Sequence, residues 1–352
     1  MSQYSVDIFD LNLNLVHHDI LEDPVIDDDR LAPNITTIEI KKTILVPASG
    51  YVHLDGDIVF DGIIDAVSDD EDVTKIDIKP LICIFDRNIP INLTWQKSST
   101  SLEAVIRSSI QNYWISYSAD SLGNMPMSVE IIGSYRHTNW TLDLEARNKE
   151  VNNTIVNFLS DLIIPAFERY GITLNGFIDF DTNLIDFTIE NPEEYQVIDA
   201  DNPMVHLIEF MPDKMDGEVN RLTVINADDY SERVTYYLHP NGTYNTTNNN
   251  RITPVVFDFA EATKSSEEGA TFADAASAQA DSVFGKIKYK NYVEFETQYN
   301  DLLINPLEIK MGSKATIYHN GQAIETMLTG RVIDEMITLT FGTVRLDYTK
   351  QK

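Results

Sequence analysis

Gly50-Tyr51-Val52-His53-Leu54-Asp55-Gly56-Asp57-Ile58-Val59-Phe60 alternates apolar and polar residues on both sides of an Asp-Gly pair. Alternation at period two puts one face of a strand in a core and the other in water. Asp-Gly marks a tight turn, because glycine takes a positive φ at no steric cost. The stretch predicts a β-hairpin. Strand patterns continue on both sides of it. Upstream lie Tyr4 to Phe9 and Ile35-Thr36-Thr37-Ile38-Glu39-Ile40, with the acidic Asp27-Asp28-Asp29 between them. Downstream, the acidic run Asp69-Asp70-Glu71-Asp72 leads to Ile76-Asp77-Ile78. Residues 1–90 are therefore expected to form a first β-barrel module.

A similar order returns near the other end. Ile44 to Asp65 reads ILVPASGYVHLDGDIVFDGIID, and Ile309 to Asp334 reads IKMGSKATIYHNGQAIETMLTGRVID. In each, a strand reaches a turn pair, Asp55-Gly56 or Asn320-Gly321. A second strand then reaches a large apolar residue, a polar one and a glycine: Phe60-Asp61-Gly62 and Leu328-Thr329-Gly330. The glycines lie six residues apart in the first copy and nine in the second. A last strand follows, Ile76 to Ile78 or Ile337 to Phe341. Two unrelated hairpins can share such a pattern by chance, so the repeat alone leaves both origins open. If real, it implies two half-open barrels of like topology, which limit exposed sheet edges by curling on themselves.

Between the ends the periodicity changes. Thr100-Ser101-Leu102-Glu103 fits a capping box, followed by Leu102, Val105, Ile106, Ile110 and Tyr113 at helical spacing. A second helix is expected from about Lys149 to Tyr170, kinked at Pro165 and ended by Gly171. Ser128 to Ile132, Thr141 to Leu144 and Ile172 to Ile189 read as strands. Arg221 to Ile225 and Val234 to Leu238 imply a hairpin, followed by a turn at Pro240-Asn241-Gly242. Asn245 to Asn250 reads as a loop. Thr271 to Phe284 reads as a helix with Phe272, Ala275, Ala276, Gln279, Ala280 and Val283 in register. The fold class is thus α+β and β-rich. The expected division is 1–90 as the first β-barrel module and 91–200 as a mixed α/β insertion. Residues 201–300 then form a hairpin and helix region, and 301–352 the remainder of the second barrel.

Composition narrows the function. Hydrophobic residues make up 43% of 352, enough for several small cores. Lys and Arg number 26 against 56 Asp and Glu, a formal charge of −30. No basic run exists to replace counterions on phosphate, so sequence-specific nucleic-acid binding and adhesion to anionic membranes are not expected. No apolar run approaches the roughly 20 residues of a membrane span, and no secretory signal opens the chain. The single Cys83 reads as a small buried hydrophobe.

Histidines 17, 18, 53, 137, 206, 239 and 319 fit no metal-ligand spacing, and His17-His18 suits a surface or loop role. No nucleophile elbow, phosphate loop or dinucleotide fingerprint appears. Asp70-Glu71 and Glu193-Glu194 are acidic pairs of the kind a glycosidase uses, but carboxylates are abundant here. Asp27-Asp28-Asp29 and Asp69-Asp70-Glu71-Asp72 match no calcium loop and read as solvated loops. Trp95, Trp114 and Trp140 would be the candidates for sugar stacking, with core packing as the plainer expectation. No catalytic residue, metal or cofactor is assigned, and an enzymatic role is not expected.

Thr223 to Tyr244 (TVINADDYSERVTYYLHPNGTY), Ile304 to Ile317 (INPLEIKMGSKATI), Ile337 to Thr349 (ITLTFGTVRLDYT) and Tyr51 to Asp65 resemble the hub proteins of siphophage tails and related prophages of Gram-positive bacteria. That family includes the N-terminal hub region of tail-associated lysins. The resemblance implies two β-barrel domains with mixed domains between them, resembling the phage baseplate hub fold. It implies a homotrimeric virion structural protein that closes the distal end of the tail tube and opens for DNA ejection. Implied partners are a hexameric distal tail protein or the tail tube, with a tape measure protein and receptor-binding proteins beyond. The sequence ends after the last strand pattern, so the hub alone is expected, without a lytic extension. A receptor- or glycan-binding tail module is the alternative, and a peptidoglycan hydrolase a further one.

Overall fold

A computed structural model describes residues 3–31, 33–42, 44–70, 72–92, 100–116, 125–134, 136–138, 140, 142, 144, 153–192, 195–211, 219–239, 244–248, 255–263, 271–284, 291–299, 301 and 303–342. The first seven strands are β1 (Gln3–Phe9), β2 (Leu15–Glu22), β3 (Ile26–Asp29), β4 (Thr36–Ile40), β5 (Tyr51–Asp55), β6 (Val59–Asp70) and β7 (Val73–Pro80). All but β3 form one antiparallel sheet in the order β2-β1-β5-β6-β7-β4. Alternation sets the inward face: Tyr4, Val6 and Ile8 on β1, Val52 and Leu54 on β5, Ile76 and Ile78 on β7 are buried together. A bulge between Ile64 and Ala66 bends the long β6 and curls the sheet. Lys42, beyond β4, reaches Asp19 of β2 at 2.7 Å, so the two edge strands approach without pairing.

The hairpin at Asp55-Gly56 is present, but for a different reason from the one expected. Gly56 does not adopt a positive φ. A Cβ there would meet the Tyr4 ring at 2.6 Å, so the glycine makes room for a core aromatic.

The chain then enters the mixed region through a short 3₁₀ turn, Leu81–Phe85. There follow β8 (Asn88–Asn92), α1 (Leu102–Ile110), β9 (Met127–Ile131), β10 (Asn153–Asn157), α2 (Ile164–Tyr170), β11 (Thr173–Asp179) and β12 (Leu184–Glu190). β10 pairs with β8, and β11-β12-β9 form a three-stranded sheet in which β12 and β9 run parallel. Their common core centres on Phe85, whose ring lies 4.7 Å from Phe187 and 5.1 Å from Trp114.

Two local expectations change here. The N-cap of α1 is Ser101, whose hydroxyl accepts from Ala104 N at 3.2 Å. Glu103 closes no box, because its carboxylate turns to His137 instead. The second helix is shorter than 149–170. Asn153 to Asn157 is a strand that buries Thr154 and Val156 and leaves Ile155 exposed, a period of two. A wide π-helical turn, Phe158–Ile163, then leads into α2. Pro165 sits in the first turn of α2, where the π-helical turn gives way to the α-helix with Ile163 before it already in helical conformation. Gly171 ends α2 in the left-handed conformation (φ 71°), as expected. The strand expected at Thr141 to Leu144 falls largely outside the described residues, and Leu142 and Leu144 are not in a strand.

The remaining elements are β13 (Tyr195–Asp199), β14 (His206–Met211), β15 (Arg221–Asn226), β16 (Asp229–Leu238), β17 (Tyr244–Asn245), β18 (Phe257–Ala262), α3 (Phe272–Phe284), β19 (Tyr292–Thr297), β20 (Lys314–His319), β21 (Gln322–Ile333) and β22 (Ile337–Gly342). A second curled sheet runs β13-β20-β21-β22-β19-β14. A separate four-stranded sheet, β17-β16-β15-β18, buries Leu222, Val224, Tyr236 and Leu238 against Phe272, Ala276, Ala280 and Phe284 of α3. The turn expected at Pro240-Asn241-Gly242 lies outside the described residues.

The sequence repeat corresponds to β5-β6-β7 and β20-β21-β22. In both, a short strand turns into a bulged strand of 12 residues, which turns into the next strand. Asn320 and Gly321 supply the second tight turn with φ of 49° and 75°, the left-handed pair that a two-residue hairpin requires. The fold is α+β and β-rich with two curled half-barrel sheets.

Candidate assembly surfaces and the seam between the half-barrels

Asp27-Asp28-Asp29 is not the solvated loop its composition suggested. It is most of β3, which leaves the first sheet and pairs antiparallel with β21, Ile26 opposite Ile333 and Asp29 opposite Gly330. Ile26 and Ile333 are both fully buried, and this apolar pair fixes the register. Asp28 is buried and takes two guanidinium groups, Arg30 at 3.2 Å and Arg331 at 3.6 Å. Arg331 also donates to the carbonyls of Pro306 and Leu307, the latter at 3.1 Å. A carboxylate between two buried cations satisfies charge that burial alone would make costly. The strand and its ion cluster join the two half-barrels.

The histidines do not converge on a centre. His17 and His18 lie on β2, His17 3.6 Å from Asp19 and His18 Nδ1 2.6 Å from Asp7. His53 pairs with Asp61 at 2.7 Å, His137 with Glu103 at 2.7 Å, His206 with Glu296 at 2.9 Å and His319 with Asp201 at 2.7 Å. His239 is buried just after β16. Among the described residues, no group of three or more His, Cys, Asp and Glu side chains is placed to hold a metal. Burial presses the His53 imidazole toward neutrality, but the hydrogen bond and charge of Asp61, with Asp55 and Asp7, outweigh it and raise its pKa. Cys83 is half-buried, and burial pushes its thiol up to about 11.

Of the acidic runs, Asp69 accepts from Thr74 at 2.8 Å within the β6–β7 turn. Glu71, Glu193 and Glu194 lie outside the described residues, as does Trp95. Trp114 is packed between Phe85 and Phe158. Trp140 is buried and its Nε1 donates to the Thr100 carbonyl at 2.9 Å. Both rings are therefore core.

The exposed aromatics are elsewhere. Phe257 and Phe259 on edge strand β18 are 61% and 55% exposed, with ring centroids 6.0 Å apart. Their register with Arg221 and Thr223 puts them on the sheet face away from α3, and the Arg221 guanidinium lies 5.9 Å over Phe257. A second apolar patch joins Tyr195 and Val197 of edge strand β13 to Tyr318 of β20. Leu15, Val16 and Ile20 on edge strand β2 are exposed as well. Apolar side chains on unpaired sheet edges mark surfaces suited to protein contact. The Phe-Asp-Phe alternation at 257–259 is the sequence signal for the first of these.

No protein-family model and no curated protein matches the sequence. Solved structures do match its fold. The 43 kDa tail protein of prophage MuSo2 from Shewanella oneidensis aligns over 97% of this chain and 98% of its own, at 9% identity and a TM-score of 0.54. The prophage tail protein gp18 of Listeria monocytogenes EGD-e aligns over 98% and 96%, at 9% identity and a TM-score of 0.49. A chain of the phage P2 virion baseplate in its activated conformation aligns over 97% and 98%, at 13% identity and a TM-score of 0.47. The fold of this chain, from its first half-barrel to its second, is shared with the prophage MuSo2 tail protein.

Proposed function

We propose that this chain is a structural component of a phage tail, the hub at its distal end, acting by assembly and not by catalysis. The observation that carries the proposal is the end-to-end match of the two half-barrels and the region between them to a prophage tail protein, over 97% of the chain. In this proposal three copies form a ring. Two like half-barrels in each of three chains present six similar units, which suits a sixfold partner such as a tail tube or its distal ring. The exposed edge strands β2, β13 and β18 supply apolar contact surface for those neighbours. The division into 1–90, 91–200, 201–300 and 301–352 belongs to the same proposal. Within it, β13 (Tyr195–Asp199) and β14 (His206–Met211) serve the second half-barrel.

Charge supports a conduit. Three copies carry roughly −90, three times the −30 of one chain, and a lumen of that sign repels DNA and keeps it from sticking. Burial of Trp114 and Trp140 removes two of the three tryptophan candidates for the glycan-binding alternative, the third, Trp95, lying outside the described residues. Sedimentation of the chain, alone and with its ring partner, tests the proposal. A trimer is expected at micromolar concentration, and a stable monomer in both samples would sink it. Electron microscopy of the assembly tests the channel: acidic side chains are expected on the lumen, and a basic lumen would overturn the conduit.

A further inference from the structure

Four neighbouring strands of the first half-barrel each place one residue in a single row. His18 on β2 is opposite Asp7 on β1, Asp7 is opposite His53 on β5, and His53 is opposite Asp61 on β6. Direct cross-strand neighbours share a face, so imidazole and carboxylate alternate across the outside of the sheet. His18 Nδ1 lies 2.6 Å from Asp7 Oδ1, and His53 Nδ1 lies 2.7 Å from Asp61 Oδ1. The row starts in solvent and ends inside the protein: the His18 side chain is 56% exposed and that of Asp61 2%. At the inner end Asp61 Oδ2 accepts the backbone amide of Ile178 on β11, at 3.0 Å. The Phe180 ring, two residues on, meets His53 edge-on at 4.8 Å and lies 5.6 Å from Phe9. One end of the β11–β12 hairpin is thus docked on the His53–Asp61 pair by an amide and a ring.

We infer that this row is a proton-operated latch between the first half-barrel and the β11–β12 hairpin, closed when His53 is charged and loosened when it is neutral. A neutral His53 can still donate one hydrogen bond to Asp61. It no longer places a positive charge beside the nearly buried Asp61 carboxylate. Asp7 from β1, Asp55 from β5 itself and Asp61 from β6 all act on His53. Asp28 and Arg30, from β3 and its end, line a polar cavity on the far side of Asp61, together with Gly176 of β11. The β11–β12 turn brings Phe180 and the Ile178 amide. Without the imidazolium on β5 between them, the repulsion between Asp7 on β1 and Asp61 on β6 is no longer offset. The His53 pKa is raised in the folded state, so its contribution is full below the unfolded value of about 6.5 and is lost as pH rises through the folded value. The latch therefore closes in mild acid and loosens through neutral to alkaline pH. The inference stands whether or not the chain assembles in a tail.

Amide hydrogen exchange on the whole chain, corrected for intrinsic rates, tests it. Protection at Ile178 is expected to fall about three- to tenfold between pH about 6 and about 8.5, while Val224 in the remote β15 stays level. His53→Gln keeps a donor but cannot take up a proton, and its Ile178 protection is expected to be flat with pH. A direct NMR titration of the unmodified chain needs no variant: His53 is expected to titrate above about 6.5, and to return toward that value in Asp61→Asn. Flat Ile178 protection in the unmodified chain, pH-dependent protection retained in His53→Gln, or His53 titrating at or below its ordinary value would each overturn the latch.

Discussion

A methyl group added at Gly62 would sit 2.2 Å from Ile78 Cγ2 and 2.7 Å from the Lys79 carbonyl oxygen. Gly62 lies mid-sheet, between Val52 and Pro80, where neither neighbour strand can withdraw. Gly62→Ala is expected to cost about 1–3 kcal/mol by overpacking, read from urea unfolding. Gly330 is different: its nearest neighbours would be 3.4 Å away, an ordinary contact, and its φ is not left-handed. Gly330→Ala is expected to change stability by less than about 0.5 kcal/mol. The two glycines looked equivalent in the sequence repeat, because sequence records the missing side chain and not what fills its place. Glu103 gives a pH prediction. Its carboxyl is nearly buried, which works to raise its pKa, but hydrogen bonds from the His137 side chain and amide outweigh burial and lower it. A lowered carboxyl stabilises the fold above its unfolded value and loses that contribution as pH falls through the folded one. Acid unfolding of the Glu103→Gln variant should show a smaller loss of stability below pH about 4.5 than the unmodified chain. At neutral pH the variant should be less stable by about 1–3 kcal/mol.

At the scale of elements, what was legible depended on how local the signal was. The hairpins β15–β16 and β20–β21, the helix α3 and the end of α2 at Gly171 all follow from residues within a few positions of one another. The stretch around Ile155 was ambiguous. Val151, Ile155, Phe158 and Leu162 fit a helical face, yet Ile155 points outward and the strand forms because β8, some sixty residues earlier, offers it a partner. Tertiary pairing overrode the periodicity there. At the start of α1, Ser101→Ala should cost about 1 kcal/mol, because its hydroxyl caps Ala104. The loss is read from thermal or urea unfolding.

In the whole molecule, the two half-barrels were legible as a repeat, and their connection was not. The acidic run at 27–29 carries no local sign of strand pairing, since its partner is β21 at the other end of the chain. Arg331 likewise gave no hint that it would share a carboxylate with Arg30. Asp28→Asn leaves both guanidinium groups largely buried without that counter-charge, and is expected to cost about 3–5 kcal/mol, read as a lowered unfolding midpoint. The exposed apolar patches were illegible for another reason: Phe257, Phe259 and Val197 look like core residues until the sheet shows which face they occupy. The crossing of β3 also sets a schedule. Ile26 and its partner Ile333 are more than three hundred residues apart, so at about 5–20 residues per second the early strand leaves the ribosome on the order of fifteen seconds to a minute before its partner. During that wait its three aspartates keep an unpaired edge hydrated and repel other nascent chains. The second half-barrel is not finished until β22 has been made, so the seam between the two half-barrels closes only after nearly all of both sheets has been synthesised.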